Sequence, residues 1–138
     1  MANKTMIAAI MTKVPVVANE THKLSQVLRL FTEFHIHHLP IVDNEDMLIG
    51  IISSNDIPKL IVKLAGRLEK LALDLDVLDK EVNLKDIMTA DPTTVPSTTI
   101  ILEAAEILKK KKFMSLPVVD NGQLVGIVTL KDILAFMA

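Results

Sequence analysis

The sequence predicts a mixed α/β fold that contains two copies of one unit of about fifty residues. When the chain is shifted against itself by 77 positions, roughly 15 aligned residues are identical and most others exchange like for like. Within each copy, helical periodicity gives way to short apolar runs separated by turn residues, a pattern typical of α/β units. The matching segments are Ile10-Met11-Thr12 and Ile87-Met88-Thr89, Pro15 and Pro92, 39–44 and 116–121, and, one residue out of step, 48–57 and 124–133.

Each copy begins with an amphipathic helix. Apolar residues at the i, i+3, i+4 and i+7 spacing predict it: Leu24, Val27, Leu28 and Phe31 in the first copy, and Ile101, Ala104, Ala105 and Leu108 in the second. We expect the first helix to start at Thr21 and its counterpart at Ser97 or Thr98. Hydroxyl side chains there would accept a hydrogen bond from a first-turn N–H group.

A two-stranded hairpin and a second helix follow in each copy. The strands 39–42 and 48–53 flank an Asp43-Asn44-Glu45-Asp46 turn, and an Asp120-Asn121-Gly122 turn lies between Val118-Val119 and 124–129. The second helices are expected from Ser54 or Asn55 and from near Leu130.

Short extended pieces at 14–18 and 93–96 complete a β-α-β-β-α order. The strands are almost wholly apolar, which favours burial on both faces. We expect the two units to pack by their sheets with pseudo-two-fold symmetry.

The segment between the copies is not repeated. Leu60, Leu64, Leu68 and Leu71 continue a helix beyond the repeat, and the acidic stretch 73–81 is interpreted as linker. The chain therefore divides into a first repeat at 1–63, a helical extension and linker at 64–81, and a second repeat at 82–138, which together form one module.

Composition excludes several classes of function. The chain has no cysteine, so disulfides, thiolate nucleophiles and cysteine-ligated zinc are absent. The net charge of −2 and the aromatic content of 3% argue against a nucleic-acid partner. With four glycines there is neither a phosphate-binding loop nor a nucleophile elbow, so we predict no enzyme. No apolar run approaches the ~18 residues that span a bilayer, and we expect a cytoplasmic chain without a membrane partner.

One motif occurs in both copies: glycine, two apolar residues, a hydroxyl residue, two variable residues and aspartate. It spans 50–56 and 126–132. Its hydroxyl and carboxylate would lie where a strand ends and a helix begins, and a carboxylate there can accept hydrogen bonds from both hydroxyls of a ribose. Alternatively, Ser53 and Thr129 are N-caps, and Asp56 and Asp132 favour the helix dipole.

The doubled motif, together with the upstream Leu-Pro strands, resembles the CBS domain family (cystathionine β-synthase domains). The resemblance covers nearly the whole chain except 64–81 and implies a stand-alone CBS pair, also called a Bateman module, that binds an adenosine ligand in the cleft between its repeats. In the family the aspartate holds the ribose, the hydroxyl residue lies near the phosphate, and adenine enters between the extended piece and the Leu-Pro strand. The residues implied are Ser53, Asp56, Thr129, Asp132, Pro15, Val16, Val17, Ile36, Pro40, Thr93, Thr94, Val95, Met114, Ser115 and Pro117.

Three histidines precede Leu39-Pro40, and three roles remain open for them. In nucleotide-sensing members of the family a His-Arg pair at this place contacts phosphate, and His37-His38 resembles it with His in place of Arg. Surface or packing roles are the second interpretation. The third is a metal site, since His35 and His37 would share a face if their segment were extended. The second copy has Met114 and Ser115 at the matching positions, so we expect unequal sites.

The run Lys109–Lys112 has two interpretations. At a helix end it is expected to be a solvated cap, although Lys112, which aligns with His35, could support a phosphate contact.

These features favour a regulatory ligand-binding module over an enzyme. No cofactor is required, and the candidate ligands include AMP, ADP, ATP and S-adenosylmethionine. The resemblance also implies a homodimer, and the signal would pass to a separate effector protein. The alternatives are a structural dimerisation or interaction module without ligand, and a histidine-based metal-binding module.

Overall fold

The computed structural model describes residues 4–68 and 74–138. Its helices are α1 (Leu24–Phe34), α2 (Asp56–Leu68), α3 (Leu75–Glu81), α4 (Leu84–Ile87), α5 (Ile101–Lys111) and α6 (Leu130–Met137). Its strands are β1 (Thr12–Lys13), β2 (Ala18–Asn19), β3 (His38–Val42), β4 (Leu48–Ser53), β5 (Thr89–Ala90), β6 (Ser115–Asp120) and β7 (Gln123–Thr129). This order confirms the mixed α/β class. The predicted continuation of α2 to Leu71 lies outside the described residues.

The chain forms two compact units, which we call unit 1 (Met1–Pro15 with Pro92–Ala138) and unit 2 (Val16–Asp91). Unit 2 contains a four-stranded sheet in the order β2-β3-β4-β5. Unit 1 contains a sheet in the order β1-β7-β6, and Val95 extends it through a parallel bridge to Val118. The two sheets are therefore built from equivalent strands.

The predicted hairpins are confirmed. β3 pairs antiparallel with β4, and β6 with β7. The second hairpin turns at Asn121 and Gly122, with φ values of 52° and 80°. Two successive positive φ values define the turn that matches the twist of the flanking strands, and asparagine followed by glycine adopts it at little steric cost.

The predicted N-caps are wrong, because α1 and α5 begin three or more residues later than expected. The Thr21 N–H and hydroxyl both bond the Asn19 side chain, at 2.9 and 2.8 Å. The Ser97 N–H and hydroxyl bond the two carboxylate oxygens of Asp120, at 2.9 and 2.6 Å, and these bonds lower the pKa of that carboxyl. These hydroxyl residues are thus committed to the preceding turns, and the hydroxyl of Thr98, which is exposed, caps no helix.

Each sheet has an edge strand that comes from the start of the other sequence repeat. β1 leads into the first repeat, yet it pairs with β7 of the second, Thr12 opposite Ile127. β5 leads into the second repeat, yet it pairs with β4 of the first, Thr89 opposite Ile51. The spatial units and the sequence repeats therefore have different boundaries.

The segments that open the two repeats, 7–13 and 84–90, which we call the leads, also fill the cores. Ile7, in a short 3-10 turn (Ile7–Ala9), is fully buried among Val95, Leu116 and Val128 of unit 1. Leu84, its counterpart 77 positions on, is buried in the core of unit 2. Both cores therefore join a repeat to the lead of the other one.

The stretch predicted as linker includes the packed helix α3. Leu78 of α3 is buried with Leu24, Leu60 and Leu64 of the first repeat. Asp79 accepts hydrogen bonds from the N–H and the hydroxyl of Ser25, at 2.8 and 2.6 Å. Thus α3 covers one face of α1 and caps its first turn.

The two repeats share unusual backbone positions. His35 and Lys112, the residues that end α1 and α5, are left-handed with φ of 52° and 58°. Val14 and Asp91, also 77 positions apart, have φ of 50° and 46°. A β-branched residue such as Val14 rarely adopts this conformation, so the repeat preserves backbone shape where side chains differ.

Within residues 4–68 and 74–138, every helix is too short or too polar to cross a bilayer.

Candidate functional site

In unit 1 the doubled motif ends at the first turn of α6. The Thr129 N–H donates to Asp132 Oδ2 at 2.8 Å, and the Asp132 N–H donates to Thr129 Oγ1 at 3.1 Å. This reciprocal pair is a capping box. The expectation that the motif caps a helix is therefore confirmed here. One carboxylate oxygen of Asp132, Oδ1, is not used by the box, so the cap and a ribose contact are compatible.

In unit 2 the Ser53 N–H donates to Asp56 Oδ2, also at 2.8 Å. In the described part of this unit, no corresponding bond joins the Asp56 N–H to Ser53 Oγ. The carboxylates of Asp56 and Asp132 are thus held in the same way, whereas the two hydroxyls differ in their commitments. Both carboxylates are half-buried, at the junction of a strand and a helix.

Each motif lies beside the loop that enters the neighbouring strand. The Ser54 N–H bonds the His37 carbonyl at 2.8 Å, and the Leu130 N–H bonds the Met114 carbonyl at 2.9 Å. Across the hairpins, His38 pairs with Ser53 and Ser115 pairs with Thr129. We call the resulting clusters the unit 2 mouth (His37, His38, Ser53, Ser54 and Asp56) and the unit 1 mouth (Met114, Ser115, Thr129, Leu130 and Asp132).

The histidines of the unit 2 mouth have different environments. His37 is exposed, and its Nδ1 lies 3.4 Å from Ser54 Oγ. His38 is half-buried, and burial, followed by the neighbouring His37, lowers its pKa, while Asp56 acts in the opposite direction. Burial disfavours the charged imidazolium, so an anion bound beside His38 would favour its protonation.

The geometry assumed for a metal site is not formed at His35. This residue has a left-handed conformation at the end of α1, so its segment is not extended. The Nδ1 of His22, the more distant histidine, accepts the Asn19 N–H at 2.9 Å. In the described parts of the chain, no three His, Cys, Asp or Glu side chains are grouped for a metal ion.

The predicted adenine-side segments lie beside the Leu-Pro strands. In unit 1 the Val95 N–H bonds the Pro117 carbonyl at 3.2 Å, and the Val119 N–H bonds the Val95 carbonyl at 2.9 Å. In unit 2, Ala18 pairs with Ile41. From Val95 and Ala18 onward the extended segments are hydrogen-bonded directly to the Leu-Pro strands. An adenine base between segment and strand would therefore have to lie before these two residues.

The structure divides the predicted ligand residues between the two units. Unit 2 holds Val16, Val17, Ile36, His37, His38, Pro40, Ser53 and Asp56. Unit 1 holds Pro15, Thr93, Thr94, Val95, Met114, Ser115, Pro117, Thr129 and Asp132. Pro40 and Pro117 are buried, Val17, Thr94 and Met114 are exposed, and Pro15, Val16, Ile36 and Thr93 are half-buried.

Ser54 and Leu130 belong to the mouths but are not predicted to do so from the sequence. The signal was present, since each directly follows the hydroxyl residue of the motif. Only the backbone bonds to His37 and Met114 show that they lie beside those residues. The lysine run behaves as expected of a solvated helix end, because Lys109, Lys110 and Lys111 form the exposed last turn of α5.

Comparison with known proteins gives the same repeat and fold. The model of the CBS domain family matches residues 7–63 and 84–138. A CBS domain-containing protein of Dictyostelium discoideum is 32% identical over 95% of this chain and 90% of its own length.

Among solved structures, CBSX2 in complex with AMP has a TM-score of 0.77 at 27% identity, over 94% of this chain and 93% of that one. The CBS pair of MJ0100, in complex with 5′-methylthioadenosine and S-adenosyl-L-methionine, has a TM-score of 0.81 at 27% identity, over 97% and 100%. The doubled strand–helix motif, the two equivalent sheets and these matches agree, and the chain belongs to the CBS domain family.

Proposed function

We propose that this chain is a non-catalytic regulatory module that binds an adenosine-containing ligand, with Asp56 and Asp132 holding the ribose. One observation carries the proposal: the two aspartates are fixed by the same 2.8 Å bond at the same strand–helix junction in both units. A repeated fold alone does not require a repeated polar site. Relatives with known ligands support the ligand class, because they hold AMP in one case and 5′-methylthioadenosine with S-adenosyl-L-methionine in another.

The carboxylate can serve the ligand without losing its structural bond. In the capping box of unit 1, Oδ2 accepts the Thr129 N–H. The other oxygen has two lone pairs available to ribose hydroxyls. AMP, ADP, ATP and S-adenosylmethionine share that ribose, and the module needs no further cofactor to bind them. Ligand binding would shift the population of module conformations that a separate effector protein reads.

We expect Asp132→Asn and Asp132→Ala to weaken the binding of the unit 1 ligand by ten- to a hundred-fold, because each removes a charged hydrogen-bond acceptor. The two variants differ in stability. Alanine also removes the capping box and should cost about 1 kcal/mol of folding free energy, whereas asparagine keeps one acceptor for the Thr129 N–H. Calorimetric titration and denaturant unfolding measure the two effects.

The titration uses ligand-stripped protein with AMP, ADP, ATP, S-adenosylmethionine and 5′-methylthioadenosine in parallel. Saturable heat with at least one of them, lost in an aspartate variant, supports the proposal. If Asp132→Ala destabilises the fold while every affinity stays unchanged, the aspartate is a cap alone. If none of the five ligands gives binding heat, the alternative function is favoured, an interaction module without a ligand.

We also propose that the chain forms a homodimer through the helices of unit 1. Leu102 of α5 and Leu134 and Met137 of α6 are 54%, 57% and 72% exposed. In unit 2 the counterpart of Leu102 is Ser25, whose side chain is bonded to α3. The apolar face of unit 1 has no such cover among the described residues, and apolar patches of this kind mark interfaces.

Light scattering of the purified protein tests the dimer. The expected mass is twice that of the chain, and Leu134→Asp with Met137→Asp should halve it while leaving the circular dichroism unchanged. Substituting the exposed Val62 of unit 2 by aspartate is the matched control and should leave the dimer intact. A monomeric wild-type protein would overturn this proposal.

A further inference from the structure

The two mouths have the same backbone but different side chains. The strand-entry carbonyl accepts the same helix-entry N–H in both, at 2.8 Å from Ser54 to His37 and at 2.9 Å from Leu130 to Met114. The carboxylates are held identically at 2.8 Å. The backbone therefore places these matched positions equivalently beside the aspartate that we propose holds the ribose, and their side chains determine what each mouth accepts next to it.

The unit 2 mouth offers polar hydrogen-bonding groups. The imidazole of His37 and the hydroxyl of Ser54 approach each other at 3.4 Å, and His38 adds a second imidazole opposite Ser53. The Ser53 hydroxyl is not tied into a capping bond from Asp56, as far as the described residues extend. Imidazole N–H groups and hydroxyls are donors that match phosphate oxygens, and a protonated imidazole makes the stronger, charge-assisted bond.

The unit 1 mouth has apolar side chains at two of these positions. Met114 stands at the position of His37 with a 57% exposed thioether side chain, and Leu130 stands at the position of Ser54. Ser115 is 8% exposed, in the place of His38. A phosphate placed against methionine and leucine would lose hydration and gain no donor from either side chain, whereas an apolar substituent would bury surface at about 25 cal/mol per Å².

Two lysines of unit 1 lie close to its mouth in the sequence and could also attract a phosphate. Lys131 directly precedes Asp132, and Lys112 ends α5. Both side chains are exposed. A solvated surface charge contributes little to a specific contact, and a Lys131→Gln variant measures what Lys131 adds.

We propose that the two mouths bind different classes of adenosine ligand: the unit 2 mouth binds one with a 5′-phosphate, and the unit 1 mouth binds one whose 5′ substituent is uncharged and apolar, such as a thioether. This inference rests on the proposed function and extends it. A single chain would then read two chemically distinct signals through one repeated scaffold.

Calorimetric titrations with AMP and with 5′-methylthioadenosine test the assignment on Asp56→Asn and Asp132→Asn. Asp56→Asn should lower the affinity for AMP at least ten-fold and leave that for 5′-methylthioadenosine within two-fold. Asp132→Asn should do the reverse. Loss of the same ligand in both variants, or AMP lost only in Asp132→Asn, would overturn the inference while leaving the proposed function intact. No heat with either ligand in the wild-type protein would overturn the inference, whereas the proposed function would be contradicted only if ADP, ATP and S-adenosylmethionine gave no heat either.

Reciprocal exchange of the side chains tests the cause. His37→Met with Ser54→Leu should abolish AMP binding in unit 2, and Met114→His with Leu130→Ser should create a second AMP site in unit 1, raising the stoichiometry from one to two. Lys131→Gln is the matched charge control and should change AMP affinity by less than two-fold. If that single change removes AMP binding, the lysine rather than the mouth selects phosphate, and the inference is wrong.

Discussion

Replacing Ile7 by alanine is expected to lower the free energy of unfolding by about 2–5 kcal/mol, the range for truncating a buried aliphatic side chain. Ile7 has no exposed surface and lies in the core of unit 1, where its N–H also donates to the Thr99 carbonyl at 2.8 Å. Ile7 belongs to the first repeat in the sequence but packs with residues of the second. The loss should therefore appear in the second repeat.

Hydrogen exchange combined with denaturant unfolding can locate that loss. Local openings have their own free energies, so Ile7→Ala should increase exchange across β6, β7 and α5, while the first repeat keeps most of its protection. Leu84→Ala, the equivalent change 77 positions on, should produce the complementary pattern in unit 2, since Leu84 is 1% exposed there.

Val14→Ala is the control, because the same unit loses an apolar side chain that is 91% exposed and lies outside the proposed dimer face. Its cost should be below about 1 kcal/mol, in the range of surface substitutions. Faster exchange in β3 and β4 after Ile7→Ala would contradict the exchange of leads, since those strands belong to unit 2.

This exchange could not be predicted from the sequence, although the repeat itself could. The hairpins followed from apolar runs with turn residues between them, which are local signals. β1 and β5 are two residues long and carry no periodicity. Their partners are more than 35 positions away, at Ile127 and Ile51, so only the folded chain reveals which repeat each lead completes.

The first residues of α1 and α5 could not be predicted from the sequence for a different reason. Hydroxyl residues upstream of α1 and α5 have the chemistry of N-caps, but side chains from neighbouring turns compete for them. The side chain of Asn19 accepts the hydroxyl of Thr21, and the carboxylate of Asp120 accepts the hydroxyl of Ser97. Such competition depends on residues brought close by folding, and propensity rules do not describe it.

The candidate site was easier to predict than its details. Glycine, hydroxyl and aspartate at fixed spacing located both mouths, because those spacings are set by one strand end and one helix turn. The members contributed by the neighbouring loops were only partly recognised. Ser54 and Leu130 were missed since their role depends on carbonyls 16 or 17 positions away along the chain, at His37 and Met114.

The glycines of the motif lead to the second large prediction. A Cβ at position 126 would lie 2.6 Å from Met11 Sδ and 2.8 Å from the Thr12 carbonyl oxygen. At position 50 it would collide with Met88 Sδ and lie 3.1 Å from the Thr89 carbonyl oxygen. Each glycine thus gives the exchanged edge strand the room to pair closely.

Gly126→Val is therefore expected to cost about 3 kcal/mol of stability, at the upper end for overpacking, and to detach β1 from β7. A methionine side chain can swing aside, but the Thr12 carbonyl is part of the ladder and cannot. Gly50→Val should cost less, because its nearest backbone oxygen is farther away.

A double-mutant cycle with Met11→Ala separates the two contacts. If the side chain were the main obstacle, Met11→Ala with Gly126→Val would recover most of the loss measured by denaturant unfolding. We expect recovery of less than half, since the carbonyl contact remains in the double variant. Full recovery would mean that position 126 has to be glycine only to leave room for the Met11 side chain. Close backbone pairing at β1 would then not require it. Partial recovery would instead show that Gly126, the first residue of the ligand motif, is needed for close pairing with β1. The glycine that precedes Thr129 and Asp132 would then also allow the opening segment of the other repeat to complete this sheet.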